Sequence, residues 1–76
     1  MFRFRPIEMH RFSCCRGRYS IYGILAEQQT QTGWIIVAMA ADVTYDWDYA
    51  SQLAEFCTRS QADPQQLLAV IESFRP

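Results

Sequence analysis

Lysine and asparagine are both missing from this chain of 76 residues, so its seven basic side chains are all arginine. Arginine is the planar fork that grips phosphate and carboxylate, and an all-arginine count invites a story about anion binding. The missing asparagine removes most of that story. Lysine and asparagine share codons that begin with two adenines, so a GC-rich coding sequence accounts for both gaps at once.

Long apolar runs are missing too. The longest, Trp34–Ala41, is eight residues, where a membrane-spanning helix needs roughly 18–20. The N-terminal Phe2-Arg3-Phe4-Arg5 alternates instead of forming the continuous apolar region of a secretory signal. A cytoplasmic protein is the expectation. Cysteine is scarce and odd in number: Cys14 and Cys15 are adjacent and Cys57 is remote. A secreted disulfide scaffold of this size normally carries an even set, so reduced thiols are expected. The three glycines, Gly17, Gly23 and Gly33, are scattered, which leaves no phosphate-cradling loop.

What is present is half hydrophobic and unevenly charged. Residues 1–18 set five arginines against Glu8, a balance of +4, while residues 19–76 set two arginines against seven acids, a balance of −5. The net −1 excludes a wholly basic nucleic-acid coat but leaves a basic end. The length allows one domain, residues 1–76, with a marginal core.

Along the chain, Phe2–Cys14 reads as a strand with a fault. Phe2 and Phe4 share one parity and Ile7 and Met9 the other; Pro6 between them, which cannot donate to a ladder, belongs on an edge strand or at a bulge and explains the switch. Cys15-Arg16-Gly17 reads as a turn in which glycine supplies a positive φ. Tyr19–Gln28 alternates as a second strand, the polar stretch to Gly33 reads as a hairpin loop, and Trp34–Ala41 is the third strand, with Trp34, Ile36 and Ala38 set against Ile35, Val37 and Met39. Helical spacing begins after Val43. Thr44 or Asp46 can cap the helix, Ala50, Leu53, Phe56 and Cys57 form its stripe, Ser51, Gln52, Glu55 and Thr58 its wet side, and it ends near Ser60. Asp63-Pro64 opens a second helix as N-cap and N1, with a stripe of Leu67, Leu68, Ile71 and Phe74. The expected fold is α+β: a three-stranded antiparallel meander followed by two helices packed on one face, β-β-β-α-α.

Several of these segments resemble a family of small uncharacterised bacterial proteins: Ile21-Tyr22-Gly23-Ile24, Val43-Thr44, Leu53-Ala54-Glu55-Phe56-Cys57, and Asp63-Pro64-Gln65-Gln66-Leu67-Leu68 with Val70-Ile71-Glu72-Ser73-Phe74. That family has a Tyr-Gly-Ile strand and a closing helix of the form Pro-x-x-Leu-x-x-Val-Ile-Glu-x-Phe. Its usual histidine is replaced here by Gln66. The resemblance implies a fold and a bacterial or phage-like origin, and no activity.

Sites of chemistry are few. His10, Cys14, Cys15 and Cys57 are the residues from which a metal site would be built, but adjacent cysteines on a strand point to opposite faces. His10 and Cys14 share a face but lie roughly 13 Å apart along a strand, too far for a nucleophile and its base. Asp46 and Asp48 diverge on a helix. No catalytic residue, metal or cofactor is assigned, and an enzyme is not expected.

Two sets of residues are candidates for binding. Tyr45, Asp46, Trp47, Asp48 and Tyr49 place three aromatics among two acids, a composition suited to a protein interface. Arg3, Arg5, Arg11, Arg16 and Arg18, with Phe2 and Phe4 interleaved, suit a single-stranded nucleic acid held by phosphate contacts and stacking. Against the first stands plain packing of Trp47 or Tyr49 on the sheet; against the second, an edge strand guarded by charge. A helix-turn-helix fits poorly, because the second helix carries Asp63 and Glu72 and no basic residue before Arg75. The second and third strands are apolar on both faces, whereas two short helices cover only one. A protein partner is therefore expected, with a homodimer through the uncovered face as the commonest solution. The reading that follows is a small non-catalytic interaction module.

Overall fold

The structure is a computed structural model and describes residues 1–74. Three long strands, β1 (Phe2–Ser13), β2 (Gly17–Thr30) and β3 (Gly33–Thr44), form one antiparallel sheet in the order β1-β2-β3. Helix α1 (Trp47–Ser60), a 3₁₀ turn (Pro64–Gln66) and helix α2 (Leu67–Phe74) follow. The expected β-β-β-α-α architecture is the observed one.

Local chemistry explains the punctuation. Gly17 takes a positive φ of 73° at the end of the first turn, a conformation glycine adopts without steric cost. Asp46 caps α1, its side chain accepting from the Asp48 N–H at 2.9 Å. Asp63 caps the 3₁₀ turn in the same way through Gln65, and Pro64 occupies the first helical position.

The core lies between one sheet face and the helices. Phe4, Ile24, Ala26 and Ala40 meet Ala50, Leu53, Ala54 and Cys57 of α1 and Leu67 and Ile71 of α2. Burial raises the Cys57 thiol above its ordinary pKa, because the thiolate would lose its hydration there.

Several expectations need correction. Of the two settings expected for Pro6, the edge strand is the one found and the bulge is not: β1 pairs with β2 in one unbroken register from Phe2↔Gln28 to Ser13↔Gly17. The change in apolar parity after Phe4 is a change of buried face within a regular strand. Proline is tolerated because β1 is an edge strand. The loop at residues 28–33 shrinks to Gln31-Thr32, since strand pairing runs out to Thr30↔Gly33 despite the polar sequence. Ladder hydrogen bonds, blind to side-chain polarity, carry the strands to that tip.

The true irregularities are in β3. Pairing with β2 shifts register between Ala26 and Glu27, opposite Val37, and again between Tyr22 and Ile24, where Ala41-Asp42-Val43 bulge out and Asp42 adopts φ 55°. The first shift puts Ala38 on the face opposite Trp34 and Ile36, contrary to simple alternation. Gly23 lies opposite the second bulge, where an added Cβ would run into the Ala40 carbonyl and the end of Met9.

On the helices, Phe56 and Leu68 are exposed rather than core, while Ala54 is buried and Thr58 half-buried. A stripe two or three residues wide fills the narrow contact with three strands, and the flanking apolar positions fall outside it.

Candidate interaction surface

Residues two apart on a strand share a face, and the regular β1–β2 register fixes which residues share the face away from the helices. Arg3, Arg5, Ile7, Met9 and Arg11 of β1 lie there opposite Glu27, Leu25, Gly23, Ile21 and Tyr19 of β2. Ile36 and Met39 of β3 pair with Glu27 and Leu25 on the same side. Among the described residues no helix packs on this open face.

It is nevertheless partly sealed. Leu25 is 8 % exposed, and Ile21 is also buried, although neither belongs to the helix-side core. Long side chains from the flanking strands cover the central one. Glu27 is only 7 % exposed and its Oε1 is the anchor of a charged cluster. Arg3 donates to it through Nε at 3.1 Å with its Nη2 3.0 Å away, and Arg5 forms an ion pair with it, Nε to Oε1 at 2.9 Å. The Arg3 guanidinium also stacks over the Trp34 ring, 4.2 Å from its centroid. At the other end Arg11 reaches across the sheet to Asp42, Nε to Oδ1 at 3.2 Å.

The arginine candidates thus divide. Arg3, Arg5 and Arg11 share the open face, as their parity suggests, but each is engaged with a carboxylate. Arg16 sits at the turn between Tyr19 and Tyr45, 4.6 and 4.9 Å from their ring centroids, and donates to the Tyr45 hydroxyl at 3.0 Å. Arg18 lines a shallow hollow of about 460 Å³ with His10, Arg11, Phe12, Tyr19 and Ser20. Phe2 and Phe4 do not interleave with the arginines; they point to the helix side, where Phe4 is core. The aromatic beside the arginines is Trp34, which the N-terminal sequence could not reveal.

The second candidate set also separates. Tyr45 belongs to the Arg16 cluster, Trp47 packs edge-on against Tyr22 at 5.3 Å, and Tyr49 packs against Phe74 at 5.8 Å. Asp46 caps α1 and Asp48 occupies its first turn. The three aromatics of this set thus pack on three different partners, the Arg16–Tyr19 pair, Tyr22 and Phe74. The structure instead joins one member of each set, Arg16 and Tyr45.

His10 is exposed beside Glu8, Nε2 to Oε1 at 3.5 Å. Cys14 and Cys15 are exposed in the turn, and Cys57 is buried in α1. Among the described residues, no three His, Cys, Asp or Glu side chains gather to hold a metal. No helix among them is long and apolar enough to cross a membrane.

Exposed apolar side chains concentrate on β3. Ile36 is 64 % and Met39 57 % exposed, and Ile35 and Val37 are exposed as well. The two outer edges of the sheet differ sharply. At β1, Gln61 uses its side-chain amide as a substitute strand: Oε1 accepts from the Phe2 N–H at 2.9 Å and Nε2 donates to the Phe2 carbonyl at 3.0 Å. The Thr58 hydroxyl accepts from the Phe4 N–H at 2.9 Å. Its proton is shared between the carbonyls of Ala54 at 2.9 Å and Phe4 at 3.2 Å. Pro6 follows two residues on, so its position without an N–H faces the same edge. Nothing comparable closes β3 among the described residues.

A family model for a family of unknown function, DUF6514, matches residues 6–75. The chain belongs to that family. No curated protein matches the DUF6514 chain, and no solved structure does.

Proposed function

We propose that the chain is a small, non-catalytic protein–protein interaction module. It acts in the cytoplasm as a regulator or inhibitor encoded by a bacterium, phage or mobile element, and it docks through the sheet side that its helices leave bare. One observation carries this reading: Ile36 and Met39 stand exposed on the open face, at the border of a sheet whose opposite face already has its helices. An exposed apolar group rimmed by polar side chains is the usual mark of an interaction site. The pairing of Arg3 and Arg5 with Glu27 gives that rim a fixed shape. Partners are another protein or a second copy of the chain.

The test compares the immobilised chain with a variant carrying Ile36→Asp and Met39→Asp, alongside light scattering of each pure protein. The expected result is a captured partner protein or a self-associated mass that the variant loses. A strict monomer that captures nothing contradicts the reading.

A second reading is single-stranded nucleic-acid binding. The parity of Arg3, Arg5 and Arg11 favours it, with Trp34 as a stacking platform. It rests on fewer free groups, because Glu27 and Asp42 neutralise part of the charge and Arg3 covers one face of Trp34. Gel-shift binding at low salt that falls with Arg3→Ala plus Arg5→Ala is its expected signature. Binding that survives both substitutions unchanged contradicts it.

A further inference from the structure

Resting on the interaction reading above, we infer that the outer edge of β3 takes a second copy of this chain by antiparallel strand addition, giving a continuous six-stranded sheet.

The exposed side chains follow an edge. Ile36 and Met39 share the open face while Ile35 falls on the helix side, and Val37 lines a hollow there with Phe2 and Pro64. Stacking another surface on the open face would cover Ile36 and Met39 and leave Ile35 and Val37 wet. A strand laid alongside β3 covers side chains on both faces together.

The backbone is ready for it. Strand hydrogen bonds alternate in direction, and the outward bonds of Phe2 and Phe4 fix the phase across the sheet. Carried through the pairings Glu27↔Ile36 and Leu25↔Met39, that phase turns the N–H and C=O groups of Ile36 and Met39 toward the free edge. From Gln28 to Ala41 the sequence has no charged residue and no proline. Inward-pointing charge and proline are two devices that close an edge; bulges are a third, and here they sit at Val37 and at the far end of β3 around Asp42.

The occupant is another copy because such an assembly closes. Over Gly33–Ala41 two copies of β3 carry no charge, so they meet there without like-charge repulsion and satisfy a two-fold axis. The outer edges of the resulting sheet are then the two β1 strands, each already occupied by Gln61 and Thr58 and followed by Pro6. Growth stops at two. The contact is small: the uncharged part of β3, Gly33–Ala41, is about 30 Å long and its edge about 10 Å thick, or on the order of 300 Å² per copy. That is under half a standard interface, so the dimer is weak and depends on concentration.

The experiment measures the mass of the full-length pure chain by light scattering across rising concentration, with amide hydrogen exchange at both extremes. The expected result is a monomer when dilute and twice that mass when concentrated, with slowed exchange at Ile36 and Met39 only in the concentrated sample. Met39→Pro and Ile36→Lys, each checked for retained secondary structure by circular dichroism, are expected to lose the doubling. Ile36→Lys alters only a solvent-exposed side chain, so it reports even where the proline disturbs folding. A dimer whose Ile36 and Met39 amides exchange freely is face-to-face and overturns the inference. A chain that stays monomeric at every concentration also overturns it. The broader interaction reading survives that second result if the immobilised chain still captures a different protein.

Discussion

The side-chain amide of Gln61 stands in for a fourth strand against the backbone of Phe2, donating to its carbonyl at 3.0 Å while accepting from its N–H at 2.9 Å. Gln61 is placed for this because it ends α1 in the left-handed conformation, φ 51°, which swings its side chain back to the sheet edge. Two residues further along β1, Thr58 repeats the arrangement with Phe4. Gln61→Ala keeps a non-glycine residue in the left-handed position but removes the amide's bonds to Phe2 and to the Thr58 carbonyl, so a loss of about 0.5–1.5 kcal/mol is expected. Thr58→Val keeps the shape but leaves the Phe4 N–H unpaired, with an expected loss of about 1–3 kcal/mol. Urea unfolding of each variant measures both. Equal stability to the native chain contradicts the closed edge.

Gly23 supports the Asp42 bulge by being small. Gly23→Ala pushes a methyl group into the Ala40 carbonyl and Met9, and backbone cannot step aside as a flexible side chain can. The expected loss is about 1–3 kcal/mol, read by thermal unfolding. A neutral substitution contradicts the close approach.

These features show where the sequence was legible and where it was not. Gly17, Asp46 and Asp63-Pro64 act through their own backbone neighbours, so reading along the chain finds them. Strand order and the packing of both helices on one face followed from period and short connections. The bulges at Val37 and Asp42 depend on how β3 lies against β2, and no local residue type announces them. Glu27 reads as the polar end of the second strand, and nothing along the chain shows that Arg3 and Arg5 meet it across the sheet. Phe56 and Leu68 look like core by spacing, but the width of a helix stripe is set by its partner. Of the candidate sites, the shared parity of Arg3, Arg5 and Arg11 was legible. Their partners Glu27 and Asp42 were not, nor were the ring partners that Tyr45, Trp47 and Tyr49 find on β2 and α2.

The Tyr49 hydroxyl is buried and has no hydrogen-bond partner among the described residues. Its ring packs against Phe74. Tyr49→Phe removes an unpaired polar group while keeping the ring, so stability is expected to stay level or rise by up to about 1 kcal/mol. A clear loss in urea unfolding contradicts the burial.

The three thiols differ in kind. Cys14 and Cys15 are exposed, whereas Cys57 is buried and its pKa is raised by desolvation. A thiol-specific chromogenic reagent at neutral pH is expected to modify two thiols quickly and the third only on unfolding. The sign of the pH effect follows from the raised pKa. The folded state holds the Cys57 proton more tightly, so its contribution is complete below the ordinary value of 9.0 and is lost as pH climbs from there through the folded pKa. Three thiols reacting at one rate contradict this placement.

The central claim is that one edge of the sheet is closed from within and the other is open. Amide hydrogen exchange, residue by residue on a dilute monomeric sample, tests it most directly. The N–H groups of Phe2 and Phe4 are expected to be protected by Gln61 and Thr58, and those of Ile36 and Met39 to exchange quickly. Fast exchange at Phe2 and Phe4 with protection at Ile36 and Met39 would contradict it.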